Sequence, residues 1–529
     1  MNEIRLRKLA LLFLAPVLMV AACEAPDESD DTDATSAAPA ELSLPDPSGW
    51  GTHILAVAVA PDGAVWVGTY GDGIYVSRDG TGSDWEHIAA SDDSTSISWD
   101  FVNSFAFARG EVWYGTIGNG WGLSRDGGAT WDNWTFRKLG PRWQYVVPDG
   151  IRTAGDSVYF ATADGLRITS DDGLTYRDVV DEPGFPNKYL LSLGVRSAPG
   201  SVPALAVTHL RGLSESGDGG RHWVMGTRVT GESARRLAVI PPREEVCRAT
   251  QLTRRLCDWT FRFRTYADPG GEAVEPSVRS HFWFMRPVRP ADNQHLDQTY
   301  TYGSTMGGNF QQHQGVEFNV PEGTEIRAAG DGVVAFAGEA EAGALTVVIR
   351  HHEQLDGEFV WTAYYHNVEL QVADGDSVQA GDVIARAGNT GRATNDHLHL
   401  EVHTTPEDDV LAVVDPEVRY PRYSRNPQLW LKPLPGTGVI TGRVFDSAGE
   451  PVLGARVYGV TKPHPIETPF SFAETYEARA NPDPMFGEHF AIGDVPIGEH
   501  VLGVEIEGVK VFRKVLVEEE KVTEVEFRP

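Results

Sequence analysis

One sequence unit recurs four times between about residues 50 and 240 and limits this part of the chain to a repeated architecture. The copies contain VWVGTYGDGIYVSRDG, VWYGTIGNGWGLSRDGG, VYFATADGLRITSDDG and LAVTHLRGLSESGDGG. Their aspartates are spaced by 47, 45 and 47 residues, at Asp79, Asp126, Asp171 and Asp218. This period indicates one four-stranded antiparallel sheet per unit, each packed on its neighbour.

Each unit ends in a polar turn followed by an aromatic residue. The clearest copy contains Ser124, Asp126, Gly128, Thr130 and Trp131. A short Asp side chain can bond the amides of a tight turn while the aromatic residue packs between strands, so the expected role is structural. These units resemble Asp-box repeats, which implies a β-propeller-like domain over residues 49–285. Further strands between about 225 and 290 would complete it, unless the array is small.

Asp boxes also occur in sialidases, and this alternative has a testable signature. A sialidase needs an arginine triad, usually announced by an Arg-Ile-Pro motif, and the sequence has no such motif. A glycan hydrolase acting through the repeats is therefore disfavoured.

The first residues predict export from the cytoplasm. Arg5, Arg7 and Lys8 precede an apolar run that closes on Ala22 and Cys23. This pattern is typical of a signal peptide and too short for a spanning helix. Val-Ala-Ala-Cys resembles a bacterial lipoprotein box, which implies a signal over 1–22 and membrane anchoring through lipid on Cys23. The alternative is an ordinary secretory signal; both place the protein in the cell envelope or beyond.

Charge and cysteine content exclude some partners. Residues 23–48 are acidic and lack basic residues, which predicts a disordered tether. The formal net charge of -30 argues against nucleic acid as a partner. Cys247 and Cys257 can form a disulfide in an oxidising compartment, whereas a structural zinc there lacks the other ligands it needs.

Chemistry is concentrated between about 290 and 425, where β-branched runs alternate with Gly and Asp turns and predict a small twisted antiparallel sheet. Strand alternation makes His397 and His399 of DHLHLEV project together. His313 and Glu317 of HQGVEF obey the same rule, with Gly315 between them expected to leave room for a bulky guest. Two adjacent strands would bring His313, Glu317 and His399 to one point.

Two imidazoles and one carboxylate are a common protein ligand set for catalytic zinc, which leaves a position for water. His366 and His397 are then free to act as general base, general acid or oxyanion donor. The remaining histidines of this part of the chain are interpreted as ordinary surface residues, namely His351, His352, His403 and His464.

HQGVEF, YYHN, GDSVQAGDVIA and AGNTGRATNDHLHLEV together resemble the lysostaphin-like (LytM-type) zinc metallopeptidases, over roughly 130 residues. The resemblance implies a domain over 286–430, zinc bound by His313, Glu317 and His399, and catalytic roles for His366 and His397. It implies cleavage of peptide bonds in peptidoglycan, and we expect Tyr364 to line the groove.

The sequence departs from the family pattern at three places. Glu317 stands where the family has Asp, Asn367 replaces a usual Leu, and 394–396 differ from the usual lead-in to the last motif. All four histidines are retained, which favours a functional metal site.

Residues 436–529 alternate as a small antiparallel sandwich and resemble a carboxypeptidase regulatory-like domain, with a long loop expected over Lys462 to Phe486. The predicted fold class is therefore all-β and multidomain. The leading hypothesis is a zinc metalloendopeptidase. The alternative is a catalytically inactive envelope-binding or activator lipoprotein that uses the peptidase fold as a scaffold.

Overall fold

The computed structural model divides the chain into two compact units, Met1–Leu42 and Ser43–Pro529. The residues that it describes all lie in the second unit; they are 44–46, 52–139, 143–180, 182–185, 190–198, 200–209, 212–228, 244–259, 266–297, 300–305, 312–393, 396–415, 417–418, 422–460, 472–477 and 479–529. The expected signal peptide, the anchor Cys23 and most of the acidic tether lie outside them. No helix in this described part is long and apolar enough to cross a membrane.

Each sequence repeat forms one four-stranded antiparallel sheet in which the strands follow chain order. The first two sheets are β1 (Ile54–Val59), β2 (Val65–Thr69), β3 (Ile74–Ser77), β4 (Glu86–Ile88), and β5 (Val102–Ala108), β6 (Glu111–Thr116), β7 (Trp121–Ser124), β8 (Asp132–Trp134), followed by a short helix α1 (Phe136–Leu139). The other two are β9 (Val146–Ala154), β10 (Ser157–Thr162), β11 (Gly165–Thr169), β12 (Arg177–Val179), and β13 (Leu190–Arg196), β14 (Ala204–His209), β15 (Gly212–Ser216), β16 (Val224–Arg228).

The aspartate of each repeat closes the turn between the third and fourth strand of its sheet. In the second sheet Asp126 accepts hydrogen bonds from Ser124 Oγ at 2.8 Å, Thr130 N at 2.9 Å and Thr130 Oγ1 at 2.6 Å. The bonds from Thr130 and Ser124 lower the pKa of Asp126 to about 2. Trp131 Nε1 donates to the carbonyl of Gly128 at 3.1 Å, and the Trp131 ring is buried. The aspartate therefore has the structural role that the sequence predicts.

Apolar clusters join each sheet to the next. Trp66, Phe105 and Trp131 belong to the cluster between the first and second sheets, and similar clusters follow between later sheets. After β16, the described residues 244–259 form two helices, α2 (Glu244–Ala249) and α3 (Gln251–Trp259), rather than the further strands expected up to about 290. A disulfide joins Cys247 to Cys257. Within the described residues the four sheets do not form a closed propeller, so closure stays a prediction.

A nine-stranded antiparallel sheet follows, with main strand order β17-β24-β21-β20-β19-β22. Its strands are β17 (Val316–Phe318), β18 (Glu325–Arg327), β19 (Gly332–Glu339), β20 (Leu345–Leu355), β21 (Glu358–Leu370), β22 (Ser377–Val378), β23 (Val383–Ala387), β24 (Leu398–Thr405) and β25 (Ser424–Arg425). Three short 3₁₀ turns lie at Glu341–Gly343, Val410–Ala412 and Pro427–Leu429. One face of the sheet carries the large apolar cluster that includes Leu398 and Leu400, and the other carries His399 and His403 beside a smaller apolar cluster around Trp361.

The C-terminal residues form two sheets around one apolar core. The strands are β26 (Thr437–Val444), β27 (Arg456–Tyr458), β28 (Phe472–Glu474), β29 (Phe490–Pro496), β30 (Gly498–Ile506), β31 (Val509–Val517) and β32 (Val522–Phe527), in the orders β29-β26-β32 and β28-β27-β30-β31. Two expectations were wrong here. The sandwich is not wholly antiparallel, because β26 and β32 run parallel. The expected loop over 462–486 is interrupted by β28, which pairs with β27.

The nine-stranded sheet and the C-terminal sheets share an interface that buries ionisable side chains. Nε2 of His281 lies 2.9 Å from Oδ1 of Asp483, and both side chains are almost fully buried. Glu488 lies beside this pair and accepts hydrogen bonds from Tyr476 Oη at 3.0 Å and from the amide of Asp483 at 2.8 Å. Burial, and then the nearby Asp483 carboxylate, raise the pKa of Glu488 to about 8.

We expect this carboxyl group to make stability depend on pH. Because the pKa of Glu488 rises from 4.5 to about 8 on folding, its contribution to the free energy of unfolding is full below pH 4.5 and is lost as the pH rises to about 8. As the pH rises through this range, the melting temperature of Glu488→Gln should therefore fall less than that of the wild type. Glu505→Gln, at an exposed position of the same domain, is the control and should follow the wild type. Parallel pH profiles of wild type and Glu488→Gln would contradict this account.

Candidate metal centre

The pairing of β17 with β24 determines where the predicted ligands lie. In this antiparallel register Glu317 is directly opposite His399. Leu398 and Leu400 on either side of His399 are fully buried in the core, so His399 projects from the other face of the sheet. A Cβ atom at Gly315 would collide with the carbonyl of Leu400 and would lie 2.8 Å from His399 Nε2. Gly315 therefore makes room for the histidine, and the expectation that it also leaves room for a guest stays a prediction.

The three side chains predicted to bind metal converge. His313 Nε2 lies 3.1 Å from His399 Nδ1 and 3.4 Å from Glu317 Oε1. All three ligand atoms lie within 4.8 Å of one another. Ligands at the usual zinc distances in a tetrahedron are roughly 3.3 Å apart, so these contacts are close to the edges of such a tetrahedron. His313 and His399 are buried, whereas Glu317 is 18% exposed and marks the open side. The donor set and its spacing fit zinc.

Glu317 is held in its charged form. Burial acts to raise the pKa of this carboxyl group, but His397 and His313 outweigh burial and keep the pKa well below its usual value. His397 Nε2 lies 3.6 Å from Glu317 Oε1. An ionised carboxylate is the form that binds a divalent cation.

A second group of polar residues behind His399 was missed in the sequence. His399 Nε2 lies 3.1 Å from Glu401 Oε1, and Glu401 Oε2 lies 2.8 Å from His403 Nε2. Tyr365 also hydrogen-bonds Glu401. Burial acts to raise the pKa of Glu401, but the bonds to both histidines lower it to about 2. A carboxylate that accepts Nε2–H leaves the Nδ1 lone pair of His399 directed at the metal position.

Two of the histidines interpreted as surface residues are buried. His403 is fully buried in the group just described, and His351 is 2% exposed, with Nδ1 2.9 Å from the carbonyl of Asp331. His352 is exposed as expected, and His464 lies outside the described residues. His399, Glu401 and His403 occupy alternate positions of β24, so continuing the period-two pattern of His397 and His399 would have found Glu401 and His403.

His366 and His397 face each other beside the three ligands. Their ring centroids are 4.9 Å apart, and the His366 ring is 5.8 Å from that of His399. His366 Nδ1 donates a hydrogen bond to the carbonyl of Thr390 at 2.8 Å. Nε2 of the neutral ring then carries the lone pair and can act as an acceptor. Burial, followed by His397 and His399, lowers the pKa of His366 to about 3. His366 has φ of 66°, a left-handed conformation that is uncommon among non-glycine residues in general and that clusters at functional sites.

Tyr364 does not line the groove. It is fully buried in the core, and its Oη accepts a hydrogen bond from the amide of Ala329 at 2.8 Å. Burial raises the pKa of this phenol to about 12. Successive residues of β21 face opposite sides of the sheet, so Tyr365, not Tyr364, is on the face of the histidines. Asn367 is also buried, and its side-chain amide donates to the carbonyls of Leu345 and Tyr364 at an irregularity in strand pairing.

Glu401 provides a direct test of this geometry. Glu401→Gln replaces the acceptor of two imidazole bonds with a neutral amide, and loss of such a partner typically weakens metal affinity roughly 10- to 100-fold. We expect a loss in this range for zinc in a competition titration with a chelator. Glu353→Gln, at an exposed position of β20, is the matched control. Equal affinity of wild type and Glu401→Gln would show that Glu401 does not orient the ligand.

Residues 311–412 match the sequence model of Peptidase family M23. The DD-carboxypeptidase/endopeptidase Mpg of Neisseria meningitidis serogroup B is 37% identical over 92 residues, which are 17% of this chain and 20% of that protein. The peptidoglycan DD-endopeptidase ShyC of Vibrio cholerae is 36% identical over 147 residues, 27% of this chain and 31% of that protein.

The uncharacterized lipoprotein YgeR of Escherichia coli is 35% identical over 101 residues, 19% of this chain and 37% of that protein. Among solved structures, the catalytic domain of the antimicrobial peptidase lysostaphin from Staphylococcus simulans is 27% identical, with 24% of this chain and 86% of that chain covered and a TM-score of 0.20. The chain thus spans between a fifth and two fifths of the length of these curated relatives. The segment that matches Peptidase family M23 contains His313, Glu317, His366, His397 and His399.

Proposed function

We propose that this protein is a zinc-dependent metalloendopeptidase that hydrolyses peptide bonds, with peptidoglycan peptides as its substrate class. The observation that carries the proposal is the convergence of His313 Nε2, Glu317 Oε1 and His399 Nδ1 inside the segment that matches a peptidase family. His366 and His397 lie beside them, which supplies two further groups for proton transfer.

The metal would be held by His313, Glu317 and His399. When bound there, zinc supplies Lewis-acid activation of water and of the scissile carbonyl. The carboxylate stays ionised and the two imidazoles present nitrogen lone pairs, so the protein offers three ligands and leaves the exposed side of Glu317 for substrate.

The two remaining histidines have different environments and therefore different proposed roles. The Thr390 carbonyl fixes the tautomer of His366 and leaves Nε2 as an acceptor, so we assign to this nitrogen the acceptance of a proton during hydrolysis. His397 lies against Glu317, and we assign to it hydrogen-bond donation to the substrate carbonyl oxygen as negative charge develops.

We propose peptidoglycan as substrate because proteins named peptidoglycan DD-endopeptidases are similar to this chain over 90 and 147 residues. Location supports it: the N-terminal pattern predicts export and a lipid on Cys23, which would hold the protein at a membrane of the cell envelope. The Asp-box array over 49–285 and the C-terminal domain over 436–529 would then flank the catalytic domain over 286–430.

Metal content and cleavage test the proposal together. Purified wild-type chain should contain about one zinc, as a single three-ligand site requires, and should cleave cross-linked peptidoglycan peptides. His313→Ala should lose both the zinc and the activity. His366→Ala should keep its zinc and lose roughly 10²- to 10⁴-fold in kcat, the usual contribution of an acid–base group.

The control is His352→Ala, which removes an exposed histidine of the same sheet and should change neither quantity. A wild-type chain without zinc that still binds peptidoglycan would reject the enzyme and favour the alternative of an inactive envelope protein with a peptidase scaffold.

Glu317 gives a separate prediction, because the resemblance places aspartate at this position. In this chain Glu317 Oε1 already lies 3.4 Å from His313 Nε2. Glu317→Asp withdraws the carboxylate by about 1.5 Å, the length of one carbon–carbon bond. We expect weaker zinc binding and lower activity for this variant, measured by chelator competition and peptide cleavage. Tighter binding in Glu317→Asp would show that the glutamate is a handicap rather than a fitted ligand.

A further inference from the structure

His313 is the only one of the three ligands outside a strand among the described residues, so its position needs another support. Its amide donates to the carbonyl of Ser304 at 3.0 Å, and its carbonyl accepts from the amide of Gly303 at 2.8 Å. The ligand is thus paired with a segment that itself has no strand or helix. Whatever holds residues 303–305 also holds His313.

The C-terminal domain holds that segment. Oε2 of Glu474, the last residue of β28, accepts hydrogen bonds from Ser304 Oγ at 2.7 Å and from the amide of Thr305 at 3.0 Å. Glu474 is only 7% exposed. Both bonds reach one carboxylate oxygen in a low-dielectric environment, where such bonds are strong and their loss is costly.

Gln312, the residue before the ligand, makes a second connection to the same domain. Its Nε2 donates to the carbonyl of Glu477 at 3.0 Å, and its Oε1 accepts from the amide of Arg479 at 2.8 Å. The side chain is buried and spans two backbone groups of the segment after β28. The segment that pairs with His313 and the residue that precedes it are therefore both hydrogen-bonded to the C-terminal domain.

Tyr300 connects the ligand to the repeat array. The Tyr300 ring stacks on the His313 ring, with centroids 4.1 Å apart and an interplanar angle of 13°. Tyr300 also packs on an aromatic and aliphatic cluster of the first two sheets, which comprises Leu55, Tyr70, Trp99, Phe101 and Ile117. His313 lies between these two supports.

We infer that Gln312 and Glu474 are positioning residues for the metal ligand His313. Through these contacts the C-terminal domain helps to hold the metal site in its binding geometry. This inference rests on the proposed metal site. A ligand must be held within about 0.5 Å of its productive position, and residues that fix a ligand from behind commonly set metal affinity. Without the bonds to Gln312 and Glu474, the backbone at His313 gains freedom and the imidazole no longer stays aligned with Glu317 and His399.

The test measures metal affinity and coordination on the full chain. Gln312→Met keeps the length of the side chain and removes both hydrogen bonds, and Glu474→Leu removes the shared acceptor. Each should raise the dissociation constant for zinc roughly tenfold, at the lower end of the range for such supporting residues. Each should also alter the visible spectrum of the cobalt(II)-substituted protein, which reports coordination geometry rather than stability.

Two further variants separate positioning from general destabilisation. Glu474→Gln retains one oxygen where Oε2 accepts both bonds, so it should keep nearly the wild-type affinity and spectrum. Val504→Ala opens a cavity in the fully buried C-terminal core and should lower the melting temperature without changing the cobalt spectrum.

Wild-type affinity and spectrum in both Gln312→Met and Glu474→Leu would overturn the inference and leave the metal site standing. Equal weakening in Val504→Ala would also overturn it, because loss of stability alone would then explain the effect. A wild-type chain that binds neither metal would remove the proposed function and this inference with it.

Discussion

The metal centre depends on one strand pairing, the antiparallel register of β17 with β24. That register places Glu317 opposite His399, and it is possible only because Gly315 has no side chain where the His399 ring lies. A shift by one residue would turn His399 into the core and expose Leu398 and Leu400, which are fully buried. Burial of the hydrophobic face of β24 therefore fixes the register that places His399 opposite Glu317.

Strand periodicity explains what the sequence could predict and where it failed. Glu317 and His399 could be brought together from local alternation, and the repeat period located four sheets. His313 lies before β17, so alternation does not explain its position. Alternation states that Tyr364 and Tyr365 face opposite sides, but it does not say which one is buried. The choice depends on the pairing of β21 with β20 and β24, which is not local. His403 was misjudged because its partner, Glu401, was not recognised as a buried acceptor.

Contacts between distant segments were beyond sequence analysis altogether. Glu474 looked like part of a loop, yet it ends a strand and binds Ser304. His281, Asp483 and Glu488 form a buried polar group across two parts of the chain. Burying such groups is unfavourable unless each finds partners, so they specify how the two parts dock rather than adding much stability. Neither spacing nor composition encodes that information, because each partner is far away in sequence.

The parallel pairing of β26 with β32 affects the order in which parts of the molecule fold. The C-terminal core contains residues from both strands, so it cannot be completed before β32 has been synthesised. Glu474 and Arg479, which hold the segment around His313, belong to that domain and gain their fixed positions only when it folds. Because a chain is synthesised from its N-terminus, its histidines are present before the residues that align them. The proposed metal site is therefore among the last features of the molecule to reach its final geometry.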